Sequence, residues 1–337
     1  MQLISEYATP AELTGYARAA LADRDENEFS LARWLPNQTI NDLTFRFTKG
    51  GGGLTEAANY RAFDAESDIG TRPGAARVTG ELPPISRKIP VGEYERIVRR
   101  NTNQREEIRD AMLNDGVRLA RQLSARVELA RGAAIFNASV TLNENNVQAS
   151  ADYGRKAEHS VTAGTVWSNP AADVIGDFLT WLEVYRDTNG GDPEFTLMSS
   201  AIFMNLKRNT QLRGLSTTGA TAPTILTDSI LQAILADHGI PPIVKYDAKV
   251  SVGGTSTRIT PNDKLAFMPA QGDSLGATLW GVPVEADDPR YGLAGDEAGI
   301  AVGAYKSEDP QTVWTRATAI VLPVAANPDL TFVADVL

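Results

Sequence analysis

The sequence predicts an α+β fold, and three observations carry that prediction. One helical-period stretch, residues 103–136, is far longer than any other and is flanked by extended chain. Helix and strand signals mix in one compact body spanning about 167–304, with strand-like stretches on both sides of it. No internal repeat runs through the chain, so a solenoid or propeller is not expected.

The elements follow in order. Thr9 suits a helix N-cap, with Pro10 at the first helical position and Leu13, Ala17, Ala20 and Leu21 on one face. The acidic stretch Asp23-Arg24-Asp25-Glu26-Asn27-Glu28 is expected to end that pattern, and Phe29, Leu31, Trp34, Leu35 and Pro36 follow. Residues 1–42 are too short for a core of their own, so they are expected to lie on another part of the protein as an arm. Leu43-Thr44-Phe45-Arg46-Phe47-Thr48 alternates apolar and polar, the period of a strand with one buried face. Lys49 and Gly50, Gly51, Gly52 and Gly53 come next. A phosphate loop needs Gly-Lys-Ser/Thr after its glycines, whereas Gly53-Leu54-Thr55 stands here, so a turning loop is the better reading. Residues 54–98 are polar and turn-rich, with Ile85 to Val91 as a returning strand. An excursion this long with few large apolar groups needs a neighbour to lean on.

Asn103 and Glu106 make a capping-box-like start for the long helix. Ile108, Met112, Leu119, Leu123, Val127, Ala130 and Ala134 recur on one face, and Arg109, Asp110, Asn114, Arg118, Arg121, Gln122 and Arg126 on the other. At 1.5 Å per residue the rod is ~50 Å long, a spine rather than a bundle member. Residues 137–166 read as strand-like. A helix starting at Asn169-Pro170 would bury Val174, Phe178, Leu182 and Tyr185 and stop before Gly190. Phe195 to Met198 reads as a strand leading to a helix capped by Ser199 or Ser200. Thr227 or Asp228 caps another helix, which Gly239 closes. Ile243–Val252, Leu265–Met268, Ala277–Val284, Thr312–Leu322 and Leu330–Val336 are further strands.

The 337 residues include 42 acidic and 32 basic side chains, a formal charge of −10. Residues 1–136 balance at 19 and 19, and 137–337 hold the whole imbalance at 23 against 13. Residues 72–136 carry 13 basic against 8 acidic. This asymmetry suits a chain that pairs basic segment to acidic body with its own copies, although a solvated helix face is the plainer account. Overall acidity opposes strong nucleic-acid binding. Cysteine is absent, which excludes disulfides and thiolate chemistry, and the two histidines, His159 and His238, are too few for a multi-histidine metal site. The N-terminus lacks the pattern of a signal peptide, and no apolar run approaches the ~18–20 residues of a membrane span, so no membrane partner is expected.

Asp287-Asp288 and Asp296-Glu297 are candidate carboxylate pairs for a hydrolase, yet they lie among turn residues and lack a third ligand at recognisable spacing. No Gly-x-Ser-x-Gly elbow occurs. No enzyme, cofactor or metal is expected.

The order of parts, with LTFRF (Leu43–Phe47), GGGGLTEA (Gly50–Ala57), FDAES (Phe63–Ser67), GELPPIS (Gly80–Ser86) and Asp152-Tyr153-Gly154-Arg155 before Trp167-Ser168, resembles the major capsid proteins of tailed bacteriophages. The likeness is to the Hong Kong 97 type fold, and more narrowly to the lambda-like major capsid protein E family. It implies an arm (1–42), an extended loop (43–98), a spine helix with the first part of a peripheral domain (99–166), an axial domain (167–304) and peripheral return strands (305–337). It also implies self-assembly into pentamers and hexamers of an icosahedral shell around packaged double-stranded DNA. A separate scaffolding protein, a portal and a decoration protein are the implied partners, and the host cytoplasm followed by the virion the implied locations. The subunit interface would draw on Phe45, Phe47, Lys49, Gly50–Gly53, Arg61, Glu66, Arg72, Arg77, Arg87, Lys88, Arg109 and Arg118. Some relatives form a lysine–asparagine isopeptide; Lys49 and Asn327 are the matching residue types, with no catalytic carboxylate assigned. A cellular nanocompartment shell of the same fold, enclosing an enzyme cargo, is the alternative.

Overall fold

The computed structural model describes residues 2–28, 30–49, 76–92, 94, 97, 104–144, 147–216, 223–272, 274–293, 298–309 and 311–337. The spine helix Gln104–Asn137 lies across a six-stranded sheet, and the arm helix Pro10–Asn27 packs beside it. The arm helix begins as its sequence dictates: Thr9 Oγ1 accepts the Glu12 N–H at 3.2 Å. It runs through the acidic stretch expected to end it, because Asp25 has a buried partner described below.

The centre of the sheet is the long strand Val313–Val324. It pairs antiparallel with Ala301–Lys306, with Ala277–Gly281 and with Pro84–Val91, while Gln2–Ile4 and Asn37–Thr39 extend the sheet outward. Val313, Ala317, Ala319 and Val321 alternate onto one face and meet Ile108, Met112, Leu119, Leu123 and Val127 of the spine and Leu13 and Ala17 of the arm. Small side chains on the strand let the helix sit close. Gly132 carries the same logic further: a Cβ there would come within 2.7 Å of the Ile259 carbonyl oxygen.

The second sheet has five strands in the order Ile243–Lys245, Phe195–Met198, Lys264–Met268, Phe332–Asp335, Ser160–Thr162. Helices Val174–Asn189, Ser200–Arg208, Thr210–Leu215 and Asp228–Asp237 contribute to its core. Trp167, Phe178, Trp181, Tyr185, Phe267 and Phe332 form an aromatic cluster, with Trp167 and Trp181 stacked at 5.6 Å and 20°. Ser199 and Thr227 cap their helices by accepting from the Ile202 and Ile230 N–H groups. No helix among the described residues is long and apolar enough to cross a membrane.

Strand pairing redraws the expected boundaries. Ala277–Gly281 and most of Ala301–Lys306, placed by sequence in a 167–304 body, join the sheet under the spine. Phe332–Asp335, expected among the peripheral return strands, and Ser160–Thr162 join the five-stranded sheet instead. The expected strand Ile243–Val252 is two strands, Ile243–Lys245 and Lys249–Val252, in different sheets. The helix expected from Asn169 starts at Val174: Asn169 Oδ1 bonds the Ala171 N–H in a turn, and Asp173 is the cap, accepting from Gly176 at 3.1 Å. The expected Asn103 cap lies outside the described residues.

Candidate assembly surface

Thr44–Lys49 and Ala76–Glu81 form an antiparallel two-stranded ribbon, from Thr44 opposite Glu81 to Lys49 opposite Ala76. At its base Asp42 accepts the Thr44 N–H at 3.1 Å, and bonds from Thr44 hold its carboxyl below the usual range. Phe45 and Phe47, expected at a subunit interface, turn toward their own molecule. Phe45 is buried and stacked on Phe47 at 6.1 Å, and Phe47 lies 6.4 Å from Tyr153. A Cβ on Gly80 would come within 2.6 Å of the Phe45 ring, so the facing strand leaves room for it. These two rings anchor the ribbon; the alternating pattern that exposes Arg46 requires them to face the core. Gly50–Gly53, Arg61, Glu66 and Arg72 lie outside the described residues, as do the side chains of Lys49 and Arg77. Asn327 is engaged within its own chain, its Nδ2 donating to the Ser274 carbonyl at 2.8 Å.

The other expected interface residues divide. Arg87 and Lys88 are exposed on Pro84–Val91, with Lys88 Nζ 4.4 Å from the centre of the Trp314 ring. Arg118 is exposed on the spine, 3.7 Å from Asp115. Arg109 instead staples the spine to the arm through Glu12, and that carboxylate raises its already high pKa.

Sequence reasoning missed a buried charge cluster where arm, spine and both sheets meet. Arg131 is fully buried and donates to Thr278 Oγ1 at 2.9 Å, Asp25 at 2.9 Å, Glu128 at 3.0 Å and Asn37 at 2.6 Å. Glu128 also accepts the Leu31 N–H at 3.1 Å and the Tyr246 hydroxyl at 2.6 Å. Burial pushes Glu128 up, opposed by Arg131, Tyr246 and Leu31. Burial works against the Arg131 charge, and Glu128 and Asp25 more than restore it. The signal was present: Glu128 and Arg131 are three residues apart and border Val127 and Ala134 on the apolar side.

Asp152-Tyr153-Gly154-Arg155, singled out by sequence, closes the far end of the spine. Asp152 accepts the Gly154 N–H at 2.8 Å, Gly154 sits at φ 66°, and the buried Tyr153 hydroxyl donates to the Pro323 carbonyl. Arg155 donates to the Ile135 and Phe136 carbonyls, both at 2.8 Å, completing the last turn of the helix. Burial pulls its guanidinium down to about 10, with Asp329 opposing.

His159 is buried with Nδ1 3.1 Å from the Thr331 carbonyl, between the rings of Tyr185 and Phe332. Burial lowers its pKa, against the Thr331 carbonyl and Asp329. The unfolded chain therefore takes up a proton first as pH falls below ~6.5. His159 contributes full stability above that value and loses it as pH falls toward the folded pKa. His159→Phe should flatten the drop in melting temperature between about pH 7 and pH 5. A variant that keeps the wild-type slope would remove His159 as its source.

The carboxylates considered for hydrolysis are turn residues: Asp288 accepts the Arg290 N–H at 3.0 Å and pairs with its guanidinium, and Asp287 is exposed. Asp296 and Glu297 lie outside the described residues. Among the described residues no group of three His, Asp or Glu side chains is placed to hold a metal ion.

A rod laid over a six-stranded sheet, a two-stranded ribbon and a second, helix-covered sheet are together the arrangement of the phage capsid fold. The putative capsid protein of a prophage of Escherichia coli CFT073 shares it at TM-score 0.66 and 13% identity, over 98% of this chain and 99% of that one. A phage-related protein from Bordetella bronchiseptica RB50 gives 0.58 and 13%, over 96% and 95%. The capsid of a native GTA particle gives 0.51 and 11%, over 91% and 89%. At these identities the likeness is one of fold. The family model for phage major capsid protein E matches residues 27–336, and the chain belongs to that family. It is a major capsid protein, with the α+β, Hong Kong 97 type fold expected from its sequence. No curated protein matches it in sequence.

Proposed function

We propose that this chain assembles into the pentamers and hexamers of an icosahedral head that encloses double-stranded DNA, and that it has no enzymatic activity of its own. The observation that carries this reading is the family match across residues 27–336. The geometry supports it: the two-stranded ribbon pairs with neither large sheet and is anchored by Phe45 and Phe47, the form of a part available to reach a neighbour. Arg87, Lys88 and Arg118 remain exposed for contacts between copies. A separate scaffolding protein, a portal and a decoration protein complete the assembly, which proceeds in the host cytoplasm. An acidic interior surface would keep DNA from adhering during packaging.

Electron microscopy tests this directly, on protein expressed alone and together with the scaffolding protein. Uniform hollow particles are expected, and monomers under both conditions would overturn the reading. Asp287→Ala/Asp288→Ala should leave particle yield and size unchanged; loss of a hydrolytic turnover in that variant would refute the non-enzymatic assignment.

A further inference from the structure

The chain crosses from one sheet to the other through residues 325–331, between Val313–Val324 and Phe332–Asp335, and this crossover is gripped from several sides. Asp329 Oδ1 accepts the Lys156 N–H at 2.8 Å, and the Asp329 carbonyl accepts Asn189 Nδ2 at 3.0 Å. The Leu330 carbonyl accepts the Tyr185 hydroxyl at 3.1 Å. Arg155 differs from these partners because it holds both sides of the junction. Its Nη1 and Nη2 close the spine helix at Ile135 and Phe136, while Nη1 also reaches Thr331 Oγ1 at 3.2 Å and Nε reaches Ser160 Oγ at 3.0 Å. Thr331 precedes one strand of the five-stranded sheet, and Ser160 begins its edge strand. The chain also turns sharply here, with Ala138 at φ 50° directly after the helix. A guanidinium donates from a rigid plane, so it fixes direction as well as distance, which an ammonium on a flexible stem does not.

We propose that Arg155 is a positioning residue that sets the angle between the spine helix and the five-stranded sheet, and through that angle the curvature of the shell. This rests on the shell-building reading above. A tilt of about 5° at one end of a ~50 Å rod moves its other end by roughly 4 Å, enough to spoil a fit between neighbours.

The test compares wild type, Arg155→Lys and Ser160→Ala/Thr331→Val by the diameters of assembled particles, with circular dichroism as the check on folding. The double variant leaves the helix end capped and cuts the two bonds across the junction, together with the local bond from Thr331 Oγ1 to the Pro328 carbonyl. Ser160→Ala alone cuts a cross-junction bond without touching that local one. Wild type should give one diameter, and both variants a broadened or shifted distribution while keeping wild-type secondary structure. Variant particles with the wild-type distribution would overturn the proposal, even if their melting temperature fell, because that is what a purely structural role predicts. If Arg155→Lys fails to fold, the double variant decides. Absence of particles from wild type itself would instead overturn the shell-building reading.

Discussion

Arg131→Leu should destabilise the subunit by about 3–5 kcal/mol, measured by denaturant unfolding of the unassembled chain. The substitution leaves Glu128 fully buried without its cation and strips partners from Asp25, Asn37 and Thr278 at once. These groups belong to the arm helix, the arm strand, the spine and the sheet, so the loss is felt at every contact the arm makes there. Glu128→Gln/Arg131→Met should recover much of the loss, because it removes the stranded charge while keeping acceptors for the Leu31 N–H and the Tyr246 hydroxyl. An Arg131→Leu protein within about 1 kcal/mol of wild type would show that water already reaches the cluster.

Phe267→Ala should have a comparable effect, about 3–5 kcal/mol, for a different reason. Phe267 lies on a central strand of the five-stranded sheet with no exposure, and its ring contacts Phe178, Tyr185 and Phe332 at 5.6–6.4 Å. The cavity cannot collapse easily, because those rings are held on two helical turns and a neighbouring strand. Calorimetry should show a lowered transition for this core, with the spine-and-sheet core affected less, since the two share few buried neighbours. An equal shift of both would mean that they unfold as one.

What the sequence revealed follows the range of the interactions. The Thr9 cap was legible, and the Ser199 and Thr227 caps were narrowed to one of two adjacent residues each, because a cap is decided within three residues. The spine was legible because its period persists over about nine turns. Strand partners were not, since alternation marks a strand without naming its neighbour: Ser160 pairs with Val333, and Ala277 with Val324. The inward faces of Phe45 and Phe47 were also readable from alternation, but not which molecule they would enter. Arg109 was correctly placed on the outer face, yet its partner Glu12 is 97 positions away. Glu128 and Arg131 escaped because charge ordinarily marks solvent, and their burial depends on partners from four separate segments.

The indoles of Trp167 and Trp181, stacked with their planes 20° apart, give the molecule a built-in optical gauge. Two chromophores held this close couple their transitions, producing a split signal in the ultraviolet that vanishes once the rings part. Both rings lie in one subunit's own core, so opening of that core could be followed in real time, without attaching a dye.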